Sequence, residues 1–266
     1  MTEQNYDKPK RRRGIYLLPN LFTTAGLFSG FYAIVAATND RFEAAAVAIF
    51  VAMIMDGLDG RIARMTNTQS DFGKEYDSLS DMVAFGLAPA LVMYEWVLSG
   101  YGKIGWLVAF VYTAGAALRL ARFNVQHGVV NKRYFQGLAS PAAAAAVAGL
   151  IWLGNDYEWR DSSVVGVFAA LLTVAVALLM VSNVRYRSFK DVDIRGKVPF
   201  IAVGLLVMVF VLISLDPPQV LFLIAFGYAL SGPVMTLLQL QRTRARRKSG
   251  ATRHPVDEEN RPPPAP

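Results

Sequence analysis

Residues 55–84 read MDGLDGRIARMTNTQSDFGKEYDSLSDMVA and set four aspartates against hydrophobic flanks. Asp56 and Asp59 close one apolar stretch, and Asp77 and Asp81 open the next. The pairs are spaced i,i+3 and i,i+4, so on helices each pair shares one face. A carboxylate at the centre of a membrane-spanning helix costs about 2.5 to 3.5 kcal/mol, and acids near that depth mark function. Four can be tolerated together where they share cations and water.

Outward from this run, the chain divides into eight apolar segments, at 15–38, 42–63, 77–99, 104–125, 138–154, 163–182, 197–214 and 217–239. Several approach or exceed the ~18 residues that read as spanning helices. The fold expected is therefore all-α, a polytopic integral membrane bundle of about eight transmembrane helices. A basic tail (1–14) precedes a membrane domain (15–239), and a disordered basic, proline-rich tail (240–266) follows it. The fifth segment, SPAAAAAVAGLIWLG, is expected between other helices, because alanine and glycine permit close backbone approach. Gly26-x-x-x-Gly30 reads as an ordinary helix contact. Pro19 and Asn20 suggest a separate interfacial turn at the start of the first segment, and Glu95-Trp96 reads as an outer-interface anchor.

The chain has 266 residues, a net charge of +7 and no cysteine, which removes disulfides, thiolate metal sites and thiol nucleophiles. All of the net charge resides in the tails, +3 in residues 1–14 and +4 in 239–266. Basic tails flanking a membrane domain fit anchoring on anionic lipid rather than nucleic-acid binding. Of the 27 Lys/Arg, 24 fall in the tails and in the connections 61–76, 119–133 and 183–197; Arg41, Lys103 and Arg160 make up the alternate set. This asymmetry predicts both termini and the aspartates on the cytosolic side of the cell membrane.

Hard divalent cations prefer oxygen ligands, and Mg²⁺ commonly takes carboxylates together with phosphate oxygens. Two facing helix ends with two aspartates apiece can hold one ion or two, and a two-ion site neutralises a diphosphate. Arg64 is a bidentate phosphate donor, Gly57, Gly60 and Gly73 leave room for a ligand, and the linker TNTQSD offers hydroxyls and amides. The bland alternative is that the acids snorkel to water and pair with Arg61 and Arg64.

The full pattern Asp56-x-x-Asp59-Gly60-x-x-Ala63-Arg64, eight residues, Gly73-x-x-x-Asp77-x-x-x-Asp81 is similar to the signature of the CDP-alcohol phosphotransferases. The resemblance implies a membrane enzyme with a six-helix catalytic core, usually a homodimer, that moves a substituted phosphate from a CDP-linked donor to an alcohol and releases CMP. It implies that Asp56 and Asp77 bridge two divalent ions, Mg²⁺ or Mn²⁺, with Asp59 on the first and Asp81 on the second. Asp81 would also be the general base, and Gly60, Arg64 and Ser70 would contact CDP. A carboxylate beside a cation is a poor base, so polarisation of the alcohol by metal is expected to assist.

LPNLFT (18–23), LARFN (120–124), GLASPAAA (137–144) and SNVRYRSFK (182–190) resemble the phosphatidylserine-forming branch of that family, with Ala139 and Arg187 where proline is expected. That branch implies CDP-diacylglycerol and L-serine as substrates, and phosphatidylserine and CMP as products. Arg119 and Arg122, i,i+3, read as a clamp for the serine carboxylate or a lipid phosphate, with Arg185 and Lys190 in the next basic loop. The alternative for each is a positive-inside residue meeting head groups. Asn20 and Thr23 meet cytidine or cap a helix. Neither His127 nor His254 begins an His-x-Lys pattern, which argues against a phospholipase D-like route. Rival readings are the same chemistry on glycerol 3-phosphate or inositol phosphate and, more distantly, a divalent-cation transporter. The latter lacks acids along the bundle and paired broken helices.

Overall fold

The run of Ala, Ile, Val and Met before Asp56 carries helix α2 (Phe42–Thr66) up to the aspartates. In this computed structural model, residues 17–125, 134–187 and 200–250 are described. Asn67 ends α2 in the left-handed conformation (φ 50°, ψ 41°). The Thr68 N–H reaches the Ala63 carbonyl at 3.1 Å and the Asn67 N–H reaches that of Arg64 at 3.4 Å, a Schellman closure. Three residues later Ser70 caps α3 (Asp71–Asp81), its hydroxyl accepting the Gly73 N–H at 3.0 Å. The TNTQSD linker is thus turn machinery, a stop signal and a start signal that fold α3 back beside α2.

After Asp81 the helix widens into a π-helical stretch, Met82–Leu87, and resumes as α4 (Ala88–Trp96). Pro89 has no N–H to return to the Phe85 carbonyl, which instead accepts the buried Tyr112 hydroxyl at 3.1 Å. Tyr112 comes from α5 (Lys103–Val125). The same device recurs in α9 (Pro217–Gly250). There Pro233 frees the Ala229 carbonyl, and the Tyr186 hydroxyl donates to it at 2.9 Å.

α1 (Leu17–Ala37) lies along α2, and a Cβ on Gly30 would come within 2.6 Å of the Ala84 Cα, so the α1 backbone touches the π-helical stretch directly. The Gly26/Gly30 contact is as expected. α6 (Ser140–Asp156) is central, packed against α2, α4, α7 (Ser163–Val181) and α9. Twelve of its 17 residues are buried, which bears out the reading of the alanine-rich segment. α8 (Phe200–Leu215) packs on α9. The core is mostly alanine, whereas Leu21, Phe28, Phe31, Phe110 and Leu171 face outward, 59–67% exposed. Small residues inside and large apolar ones outside suit a bundle whose solvent is lipid.

Among the described residues, the eight expected segments correspond to eight helical stretches, the third being α3, the π-helical turn and α4 together. Among the described residues, four are long and apolar enough to cross a membrane by length and composition: Leu18–Ala37, Lys103–Val125, Ser163–Val181 and Pro217–Leu238. α2 carries its aspartates and arginines inside the helix, and α6 and α8 have 17 and 16 residues.

Three expectations need correction. Pro19 lies within the first turns of α1, where its missing N–H costs little, and forms no separate turn. Trp96 is 1% exposed and packed over Gly154, hence core rather than interface anchor. α9 continues as helix to Gly250, where a disordered tail was expected from 240. Beside the helices, β1 (Tyr134–Gln136) and β2 (Arg185–Arg187) form a short antiparallel pair, Phe135 opposite Tyr186. That pair joins two of the basic connections. Residues 1–16, 126–133, 188–199 (Lys190 among them) and 251–266 lie outside the described residues.

The two ends of the bundle sort as the charge pattern expects. At one end are the α2–α3 turn, Ser78 bonded to Asn124, Arg122 on the Ser182 carbonyl at 3.4 Å, and the β pair. At the other, Arg160 bonds Asp40 (2.9 Å) and the carbonyls of Trp96 (2.9 Å) and Glu95 (3.3 Å), stacked 4.6 Å from the Phe42 ring centre.

Candidate active site

The Schellman turn and the Ser70 cap have one geometric outcome, the return of α3 against the acidic end of α2. Asp56, Asp59 and Asp77 each offer a carboxylate oxygen, and these oxygens lie within 4.8 Å of one another. Asp81 stands outside this trio, one turn along α3, but lines the same narrow cleft with Thr23, Gly26 and Phe85. Three like charges so close repel strongly in a low-dielectric setting unless cations or protons intervene. Oxygen donors converging from two helices suit a hard divalent cation, and the residues present fit that group.

α1 closes the cleft with hydroxyls and a carbonyl. Thr23, 5% exposed, donates to Asp59 Oδ2 at 2.8 Å, with the Pro19 carbonyl also in reach at 3.2 Å. Its hydroxyl therefore orients a carboxylate, a role beyond the two expected for it. Ser80 donates to the Thr23 carbonyl at 3.1 Å, and Thr24 and Tyr76 share a 2.9 Å hydrogen bond. These ties hold α1 to α3 at the residues just before Asp77 and Asp81. Sequence reading missed Ser80, Thr24 and Tyr76, because no spacing rule links α1 to a helix some fifty residues on.

Asn20 sits by the start of α3, its Oδ1 3.5 Å from where a Cβ on Gly73 would be, and Ser70 lies beside it. The exposed Arg64 folds back over Gly60, where a Cβ would come 3.4 Å from Nη1. Gly60 and Arg64 thus follow Asp59 on α2, while Asn20 and Ser70 gather at the start of α3; none of the four is among the residues lining the cleft. Arg119, on the last turns of α5, is partly buried, donates to Ser140 Oγ and acts electrostatically on Asp81 and Asp56. Arg122 is turned to Ser182 and Asn183 instead, so the expected two-arginine clamp divides. Arg185 is in β2, its backbone paired with Gln136.

A family model for CDP-alcohol phosphatidyltransferases matches residues 16–237, from α1 into α9. The chain belongs to the CDP-alcohol phosphatidyltransferase family. Its relatives include a CDP-diacylglycerol–serine O-phosphatidyltransferase of Helicobacter pylori, 40% identical over 197 residues, which span 74% of this chain and 83% of the relative. The Mycobacterium tuberculosis protein of the same name is 33% identical over 230 residues, 83% of this chain and 79% of its own. An archaetidylserine synthase of Methanothermobacter thermautotrophicus is 32% identical over 179 residues, 66% and 72% of the two chains. Family membership makes the chain an enzyme of the membrane, and metal dependence, general in the family, agrees with the acidic trio.

Proposed function

We propose that this family member transfers the phosphatidyl group of CDP-diacylglycerol to L-serine, giving phosphatidylserine and CMP. The convergence of Asp56, Asp59 and Asp77 within 4.8 Å carries the reading, since a diphosphate donor needs concentrated positive charge that carboxylates can recruit. The names of the relatives support serine as acceptor. Two divalent cations, Mg²⁺ or Mn²⁺, held by the four aspartates, would supply that charge.

The chain's own residues do the rest. Thr23 fixes the Asp59 carboxylate. Arg64, over Gly60, binds the CDP phosphates, and Ser70 and Asn20 meet the nucleotide at the start of α3. Arg119 receives the serine carboxylate. Asp81 accepts the proton of the serine hydroxyl as its oxygen bonds to the phosphatidyl phosphorus, and the bond from that phosphorus to the CMP oxygen breaks, CMP leaving with the electron pair. The acyl chains stay in lipid. On this reading the protein is a homodimer in the cell membrane, with the cleft and both termini cytosolic.

Purified protein given CDP-diacylglycerol, Mg²⁺ or Mn²⁺ and labelled serine tests this. Labelled lipid with equimolar CMP is expected. Release of CMP with glycerol 3-phosphate or inositol phosphate but not serine would overturn the acceptor, and no CMP with any of these alcohols would overturn the transfer.

A further inference from the structure

Arg119 occupies an electrostatically awkward place. Its guanidinium lies at the start of α6, where the helix's unpaired N–H groups present partial positive charge. A cation at that end is unfavourable unless an anion is shared between the two. The cleft acids Asp81 and Asp56 also attract its charge, and a long, flexible side chain is free to answer them. Ser140 opposes this. It is fully buried, it opens α6, and its hydroxyl oxygen accepts a hydrogen bond from Arg119 Nη1. A serine so near a helix start commonly caps its own helix, but the cap position is Ala139, with no side-chain bond. The Ser140 hydroxyl is directed to the arginine of another helix instead.

We infer that Ser140 is a positioning residue that holds the Arg119 guanidinium beside the α6 N-terminus, where the two together receive the carboxylate of the acceptor amino acid. This rests on the serine-acceptor reading. One arm of the planar fork is fixed by Ser140 while another meets the carboxylate. Ser140 touches no reacting atom. Its effect is on acceptor binding, not on the donor.

The test uses the full-length protein in detergent with Mn²⁺, varying serine and CDP-diacylglycerol separately. S140A is expected to raise KM for serine about tenfold, the effect of losing one hydrogen bond to a charged group, with KM for CDP-diacylglycerol within about twofold of wild type. S140T, which keeps the oxygen, should recover most of the loss. In an R119A background S140A should change KM for serine no further. An unchanged serine KM in S140A, a rise in the donor KM alone, equal rises in both, or an additive effect in R119A would each overturn the inference. If S140A does not purify monodisperse, S140C replaces it, since its thiol is a weak acceptor, with the same outcomes. Failure of the wild type to use serine sinks the acceptor reading and this inference with it. A serine-active wild type with an indifferent S140A sinks the inference alone.

Discussion

Asp59 is the most enclosed of the four acids at 5% exposed, and it has the hydrogen bond that fixes its orientation. Replacing Thr23 with valine keeps the volume and removes the donor. Outer-shell partners of metal ligands typically contribute 10- to 100-fold in affinity, so T23V should raise the Mn²⁺ needed for half-maximal activity by about that factor. A cation titration of activity checks it, and an unchanged midpoint would deny the orienting role. Asp81 differs from the trio in lying a turn further on. Asp81→Asn should therefore abolish turnover, with a drop of at least about 100-fold, the low end for a general base, while the protein stays folded by thermal unfolding. Retained turnover would remove Asp81 from proton transfer.

At the scale of the element, prolines inside helices are answered by tyrosines from neighbouring ones. Pro89 is matched by Tyr112 on the Phe85 carbonyl, and Pro233 by Tyr186 on that of Ala229. A freed carbonyl left unpaired in the interior costs about 1–3 kcal/mol. Tyr112→Phe should thus lower stability by that amount, read as a fall in Tm in detergent. Because Tyr112 braces the π-helical stretch that directly follows Asp81, its loss should also lower kcat. Tyr186→Phe should cost similar stability but act on the seating of α9 against the β pair. Equal effects of the two on kcat would mean that the π-helical stretch has no special bearing on Asp81. Gly137, at φ +81°, belongs to the same joint, since its N–H bonds the Val184 carbonyl at 2.9 Å and its backbone leaves no room for a side chain beside Met180.

Across the whole molecule, the bundle has two chemically distinct ends. Arg160 gathers one of them, joining the α1–α2 turn, the end of α4 and the α6–α7 turn. Arg160→Ala removes a stack and several charged hydrogen bonds, so a loss of roughly 2–4 kcal/mol is expected, with little change in KM because the acids are at the opposite end. The absence of cysteine makes sidedness directly measurable, and Ser99 and Gln69 are exposed at opposite ends of the bundle. In right-side-out vesicles, an impermeant maleimide should label Ser99→Cys and leave Gln69→Cys untouched until the membrane is opened. The reverse pattern would invert the assigned orientation. Much of this was legible in the sequence. Asp56, Asp59, Asp77 and Asp81, their pairing on helix faces, the buried alanine helix and the division of charge all follow from short-range spacing and composition, which hydrophobic periodicity and the positive-inside bias encode locally. Tertiary structure alone decided that Thr23 serves Asp59, that Arg119 goes to Ser140 while Arg122 turns away, that Trp96 is core, and that two distant loops pair as strands. Those contacts join residues far apart in the chain. Their partners are chosen by how helices pack, and no local pattern of residues carries that information.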